Sequence, residues 1–384
     1  MRSGRTIIVS GMVAANPWQG GATWAVLQYV LGFRKLGDEV CLLEPIPEKD
    51  LQPRGCGLAD SDNAAYFGKV MQDFDLGARA ALLVSGTQES YGLSYSSVEK
   101  VMKHADVLIN ISGMLTDERL LKAVPIRVYL DLDPAFSQLW NSAEGIDMRY
   151  AGHTHYVTIG LNIGEADCPV PTCGLGWLKT LQPVCLDRWP VAADQAARAF
   201  TTVGNWRGYG SITHEGVQYG QKAHSVRQLL EVPKLTAERI TPALAIHPGE
   251  TEDLARLRQH GWELLDPAQV ARTPADYRTF IQESKAEFGI CKSGYAVSRC
   301  GWFSDRSVCY LASGRPVIAQ NTGFDRHMPC GKGLLAFANA EEAVAAITSV
   351  NGDYEGHRRA ARQIAEEYFD SNKVLGGLLA RVGA

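Results

Sequence analysis

Short apolar runs rich in β-branched residues alternate with longer stretches of helical spacing from the start of the chain. Thr6-Ile7-Ile8-Val9-Ser10 predicts a strand. Apolar spacing predicts a helix over 22–36, with Gly37 where a helix C-cap belongs, and a strand over 40–43. Val107–Ile111 and Arg127–Asp131 read as buried strands on either side of a helical stretch over 117–123. The same grammar restarts at 199–203: strands over 243–247, 287–291 and 316–320 alternate with helices over 222–230, 251–260 and 304–312. Such alternation implies parallel sheets covered by helices on both faces. The expected fold is therefore α/β, with two Rossmann-like domains over 1–188 and 199–353. A long last helix over 354–384 would cross back to the first domain. The stretch from Glu48 to Ser97 shows no clear period.

Composition narrows the classes. With 46% hydrophobic and 21% charged residues, 384 residues can form two ordinary cores. A net charge of -4 argues against a global field for nucleic acid or anionic lipid, so any phosphate site must be local. No apolar run approaches a membrane span, and the first residues enter a strand without a signal-peptide pattern. Nine scattered cysteines, an odd number, favour a reducing, cytoplasmic setting.

Candidate chemistry is densest between Ser284 and Phe324, which reads as strand, loop, helix, tight turn, strand. Ser304 or Asp305 would cap the helix, leaving amide N–H groups behind it to hold an anion, and Arg306 adds a planar fork suited to a diphosphate. Gly314 fits the C-cap, and Pro316 opens the next strand. The loop Asn321-Thr322-Gly323-Phe324 follows that strand's carboxyl end, where open α/β sheets bind ligands.

The run Ala312-Ser313-Gly314-Arg315-Pro316-Val317-Ile318, followed by Asn321-Thr322-Gly323, resembles the donor-site segment of GT-B glycosyltransferases of group 1. With Trp302-Phe303-Ser304-Asp305-Arg306 and the last helix, it is similar to a spore-coat-protein-like bacterial branch. The resemblance implies a nucleoside-diphosphate sugar, such as a UDP-sugar, held by the C-terminal domain. The acceptor would dock on the N-terminal one. It implies Lys292, Ser304, Asp305, Arg306, Ser307, Thr322, Gly323 and Phe324 as donor-binding residues. Group 1 members that retain configuration usually carry two glutamates around this helix. Here Gly301 and Cys309 stand at those places, and inversion or retention stays open.

Other residues are candidates by position. Asn205 and Arg207 end the first strand of the second half, Lys222 opens the next helix, and His247 closes another strand at the same sheet edge. Gly20 and Gly21 precede the first helix and would admit a ligand to its N-terminus, but no complete dinucleotide fingerprint is present. Asp131, Asp133 and His155 are candidate bases for an acceptor hydroxyl. His153, His155, Cys168 and Cys173 match no standard zinc spacing, and no protein-bound metal or permanent cofactor is expected. The alternatives are a GT-B-like phosphorylase, a sugar-nucleotide epimerase or a non-catalytic nucleotide- or sugar-binding protein. The acceptor stays open, nucleic acid included, as does oligomeric state.

Overall fold

The computed structural model describes residues 4–193 and 199–384. The first half runs β1 (Thr6–Ser10), α1 (Gly20–Lys35), β2 (Glu39–Ile46), α2 (Asp62–Asp73), β3 (Ala80–Val84), β4 (Ser90–Gly92) and α3 (Tyr95–Lys103). It continues through β5 (Val107–Ile111), α4 (Glu118–Lys122), β6 (Ile126–Asp131), α5 (Phe136–Ser142), β7 (His155–Thr158) and β8 (Trp177–Lys179). These strands form one sheet in the order β4-β3-β2-β1-β5-β6-β7-β8, parallel except for β4. Ile7, Ile8 and Val9 are all buried because helices cover both faces.

The second half opens on β9 (Phe200–Asn205), a small hairpin of β10 (Ile212–His214) and β11 (Val217–Tyr219), α6 (Lys222–Gln228), β12 (Ile240–Ala245), α7 (Thr251–Gln259), α8 (Pro267–Val270) and α9 (Pro274–Glu283). It closes with β13 (Ala286–Gly289), α10 (Ser293–Ser298), α11 (Asp305–Ala312), β14 (Val317–Gln320), β15 (Leu334–Phe337) and α12 (Ala340–Gly352). Its parallel sheet is ordered β12-β9-β13-β14-β15. Local chemistry punctuates these helices: Thr273 and Asp276 form a capping box at α9, and Ser304 Oγ accepts the Arg306 amide at 3.2 Å to cap α11.

The chain then returns through α13 (Tyr354–Ile364), a π-helical turn over Ala365–Phe369 and α14 (Ser371–Arg381). α14 lies on α1, where a Cβ at Gly32 would stand 2.4 Å from Leu375 Cδ1. Backbone bonds from Val184 N to Phe369 O (2.8 Å) and from Ser371 N to Val184 O (3.0 Å) pin this return. Of the expected crossover between halves, 194–198 lie outside the described residues. No helix among the described residues is long and apolar enough to cross a membrane.

Two strands stop short of their expected ends. β12 ends at Ala245 and β13 at Gly289, which moves His247 into the turn after β12, while Lys292, just past its expected strand, is the N-cap of α10. The stretch 48–97 without a clear period holds α2, β3, β4 and the start of α3.

Candidate interdomain active site

Each parallel sheet reverses strand order beside its first strand, between β1 and β5 and between β9 and β13, and ligands gather at the carboxyl edge of such points. The two edges meet across a cavity of about 560 Å3. Pro17, Trp18, Gln19, Gly21 and Ala22 line one side. Val203, Gly204, Asn205, Ala245, the α8 segment, Arg272, Tyr277, Asp305 and Arg306 line the other.

The floor carries buried charge. Arg306 Nε donates to Glu287 Oε1 at 2.5 Å, and Arg306 Nη1 donates to the Val203 carbonyl at 3.0 Å. Glu287 is fully buried, and its second oxygen has no hydrogen-bond partner. Lys222 is also buried and donates to the Ile290 carbonyl. Both cations flank Gly204: a Cβ there would lie 3.3 Å from Lys222 Cε and 3.9 Å from Arg306 Nη1. Burial first, then repulsion from Arg306, pushes the Lys222 ammonium down to about 7. Lys222 and Arg306 face the Glu287 carboxylate here, with Asp305 beside Arg306 in the wall, so an anion over Gly204 would meet two cations at once.

Asp305 is half-buried in the same wall, and burial raises its carboxyl above the ordinary aspartate value. Ser304 Oγ accepts the Arg306 amide at 3.2 Å. Ser304 caps the helix as expected and takes one of its amides, and the cleft's positive charge comes from the Lys222 and Arg306 side chains. Opposite, Trp18 holds a positive φ of 66° and lies under the Arg272 guanidinium, 4.4 Å from its ring centroid. Left-handed backbone at a bulky residue is strained and persists only where the surroundings impose it.

Of the expected donor-site residues, Gly21, Asn205, Asp305 and Arg306 line the cavity, and Lys222 lies behind Gly204. The rest are placed otherwise. Gly20 is buried at a seam between the halves, its amide donating to Ala271 O at 3.0 Å, and a Cβ would stand 2.1 Å from Thr273 O. Close backbone packing, not ligand approach, requires glycine there. Arg207 is tied to Glu250 at 2.5 Å, and His247 is exposed, its Nδ1 accepting the Gly249 amide at 3.0 Å. Ser304, Ser307 and Phe324 are buried, Phe324 against Phe303. Thr322 Oγ1 donates to the Trp302 carbonyl. Gly323 has a φ of 90°, and its carbonyl accepts from Asn162 Nδ2 at 3.2 Å, so this loop is a second seam.

The three candidate bases separate. Asp131 is fully buried and accepts from Ser137 Oγ and Gln138 Nε2 at 2.8 Å and Thr158 Oγ1 at 2.9 Å, which binds β6, α5 and β7 together. His155 pairs in register with Val128 at the amino end of β7, roughly 10 Å along the strand from the carboxyl edge. That end of the sheet faces away from the cleft. Asp133 meets Tyr209, Tyr295 and Lys292 across the halves, and Lys292 belongs to this cluster rather than to the cavity. Arg272, Trp18 and Tyr277 are cleft residues that sequence reasoning passed over. Thr273-Pro274 followed by Asp276 is a legible helix start, but nothing local aims its neighbours at α1.

No family model matches the chain, and no curated protein sequence matches it. Solved structures do resemble it along the whole length. An alpha-glucosyltransferase in complex with UDP and a 13-mer DNA superposes with a TM-score of 0.63, at 12% identity over 100% of both chains. HepE of Anabaena, in complex with UDP and glucose, gives 0.57 at 11% identity over 98% of this chain and 100% of its own. Sucrose-phosphate synthase of Thermosynechococcus elongatus gives 0.54 at 11% identity over 99% of each. At such identities the likeness is one of fold: two Rossmann-like halves facing across a cleft, the GT-B arrangement.

Proposed function

We propose that this chain is a glycosyltransferase that takes its sugar from a nucleoside-diphosphate donor in the interdomain cleft. One observation carries the reading: Lys222 and Arg306, from two separate helices, converge on Gly204 at the floor of that cleft. A diphosphate over Gly204 would lie against both cations. The shared fold with proteins solved with UDP supports a UDP-sugar as donor.

In this mechanism the bond from the anomeric carbon to the diphosphate oxygen breaks, and the leaving charge is stabilised by cations already fixed in place. The acceptor oxygen forms the new bond from the N-terminal side, and its proton passes to a carboxylate. Asp305 is the acid in the cavity wall whose raised pKa suits that role. The seams at Gly20 and Gly323 hold the halves close enough to limit water around the donor.

Titration calorimetry with UDP and UDP-glucose tests the proposal. Both should bind once per chain, and Lys222→Met should weaken UDP at least tenfold. Because Arg306→Ala alone would strand buried Glu287, the paired variant Arg306→Met/Glu287→Gln is the sound comparison. No binding to the wild type, or unchanged affinity in a folded Lys222→Met, refutes it. UDP release without added phosphate separates transfer from phosphorolysis.

A further inference from the structure

A second cavity, of about 830 Å3, opens at the carboxyl edge of the N-terminal sheet. It shares a wall with the donor cleft: Met12, Ala15 and Asn16 line it, while the next residues, Pro17 to Gln19, line the other. That wall is built to hold its shape. The buried Glu44 carboxylate accepts the amides of Ala14 at 2.8 Å and Ala15 at 2.6 Å, and Asn63 Nδ2 donates to the Ala14 carbonyl at 2.7 Å.

Charge singles this cavity out. Lys49, Arg54 and Arg149 reach it from two distant parts of the chain, and among the described residues Asp50 is the only carboxylate in its lining. None of these three cations makes a side-chain hydrogen bond or ion pair with a described residue, whereas most exposed arginines of the chain do. A local excess of two positive charges thus stands in a protein of net charge -4. Arg149 is also held in place: its φ is 59°, its amide donates to Asp147 Oδ1 at 2.7 Å, and Gly113 leaves it room, since a Cβ there would stand 3.1 Å from Arg149 Cβ. A non-glycine residue fixed in the left-handed region beside a cavity is a frequent mark of a binding site.

We infer that this cavity takes the acceptor, and that the acceptor is a small hydroxyl compound bearing a phosphate or carboxylate group. The inference rests on the donor cleft proposed above, because the shared loop sets the two ligands side by side. The anion would lie against Lys49, Arg54 and Arg149, leaving a hydroxyl directed past residues 15–18 toward the donor sugar. The cations are confined to one walled cavity instead of spreading along a track, which favours a small anion over a nucleic acid backbone.

The test compares UDP release from UDP-glucose with matched probes: glucose 6-phosphate and glucuronate against glucose, and glycerol 3-phosphate against glycerol. In each pair the anionic member should stimulate release at least tenfold more at low salt, and the difference should shrink as salt rises. The phosphate and carboxylate arms then separate the two sources of charge. Arg54→Gln/Arg149→Gln should raise the KM for the anionic probe at least tenfold, with a UDP-induced rise in Tm showing that the variant is folded. Equal response to the neutral probes, or an unchanged KM in the variant, overturns the inference. So does stimulation by a duplex oligonucleotide and by none of the small anions. If UDP fails to bind the wild type, the donor proposal falls first. UDP binding without any preference for anions removes this inference alone.

Discussion

Lys292 Nζ donates to Asp133 Oδ2 at 3.0 Å, bridging the loop after β6 in one half and the turn after β13 in the other. Tyr209 donates to the same carboxylate at 2.5 Å, Tyr295 also donates to it, and the ammonium lies 4.1 Å from the Tyr209 ring centroid. Three donors on one partly buried carboxylate make a clasp between the halves. Asp133→Asn should destabilise the protein by about 1–3 kcal/mol, since it leaves a desolvated ammonium without its anion. Adding Lys292→Met should recover part of that loss, which a double-mutant cycle in urea would read. Additive losses would show that the pair is not coupled.

Donor affinity should depend on pH through Lys222. A bound diphosphate favours the ammonium, which in the free protein titrates at about 7. Below that value the charge is already present. Above it, binding must take up a proton, so UDP affinity should fall as pH rises from 7 toward 9. Lys222→Met should bind more weakly at pH 6 and lose this slope. Calorimetry in buffers of different ionisation enthalpy would count the proton.

Turnover should show the opposite limb for Asp305. A base must be ionised, and burial raises this carboxyl, so activity should climb as pH rises through its pKa. With Lys222 falling on the other side, the profile becomes a bell. Asp305→Asn should lower kcat by about 100-fold or more, within the usual range for a lost general base of roughly 10²–10⁴-fold. UDP affinity should change far less. A variant with full kcat would remove Asp305 from the mechanism.

Gly20→Ala should cost about 2–4 kcal/mol of stability, because the new methyl meets the Thr273 carbonyl and the 271–273 backbone must move. Gly216→Ala, where a Cβ meets nothing within 4 Å but φ is 77°, gives a comparison in which only backbone strain is charged. Equal losses in urea denaturation would argue against the seam.

Glu44 predicts a pH trend in stability. Burial outweighs its amide bonds and raises the folded carboxyl to about 7, from an ordinary value of 4.5. Between these values the folded protein keeps a proton that the unfolded chain has lost. Its contribution therefore falls as pH rises across that window and is level above 7. Glu44→Gln should flatten this part of the curve, seen by comparing urea denaturation at pH 5 and pH 8.

Much of the architecture was legible because periodicity is a local property. The apolar run at β1, the helical spacing of α1 and the Ser304 cap of α11 each declare themselves within a few residues. Two repeats of the same grammar were enough to expect two Rossmann-like halves. Between Glu48 and Ser97, a stretch holding only short 3-10 turns precedes α2, and β4 has three residues, so little period had room to emerge. The sequence pattern places His247 at a strand end that the fold sets at Ala245, because a strand's last residue is set by its neighbour's register, which a single sequence does not carry.

The site divides along the same line. Residue types suited to a diphosphate, Lys222 and Arg306, could be found in the amino-acid order alone. Tertiary packing decided that both meet at Gly204, that Arg207 is tied to Glu250 away from the cavity, that Asp131 is consumed by three side chains, and that Trp18 faces Arg272 across the cleft. The reason is physical: a side chain's chemistry belongs to its own atoms, but its charge, partners and exposure are set by neighbours that only the folded chain brings together.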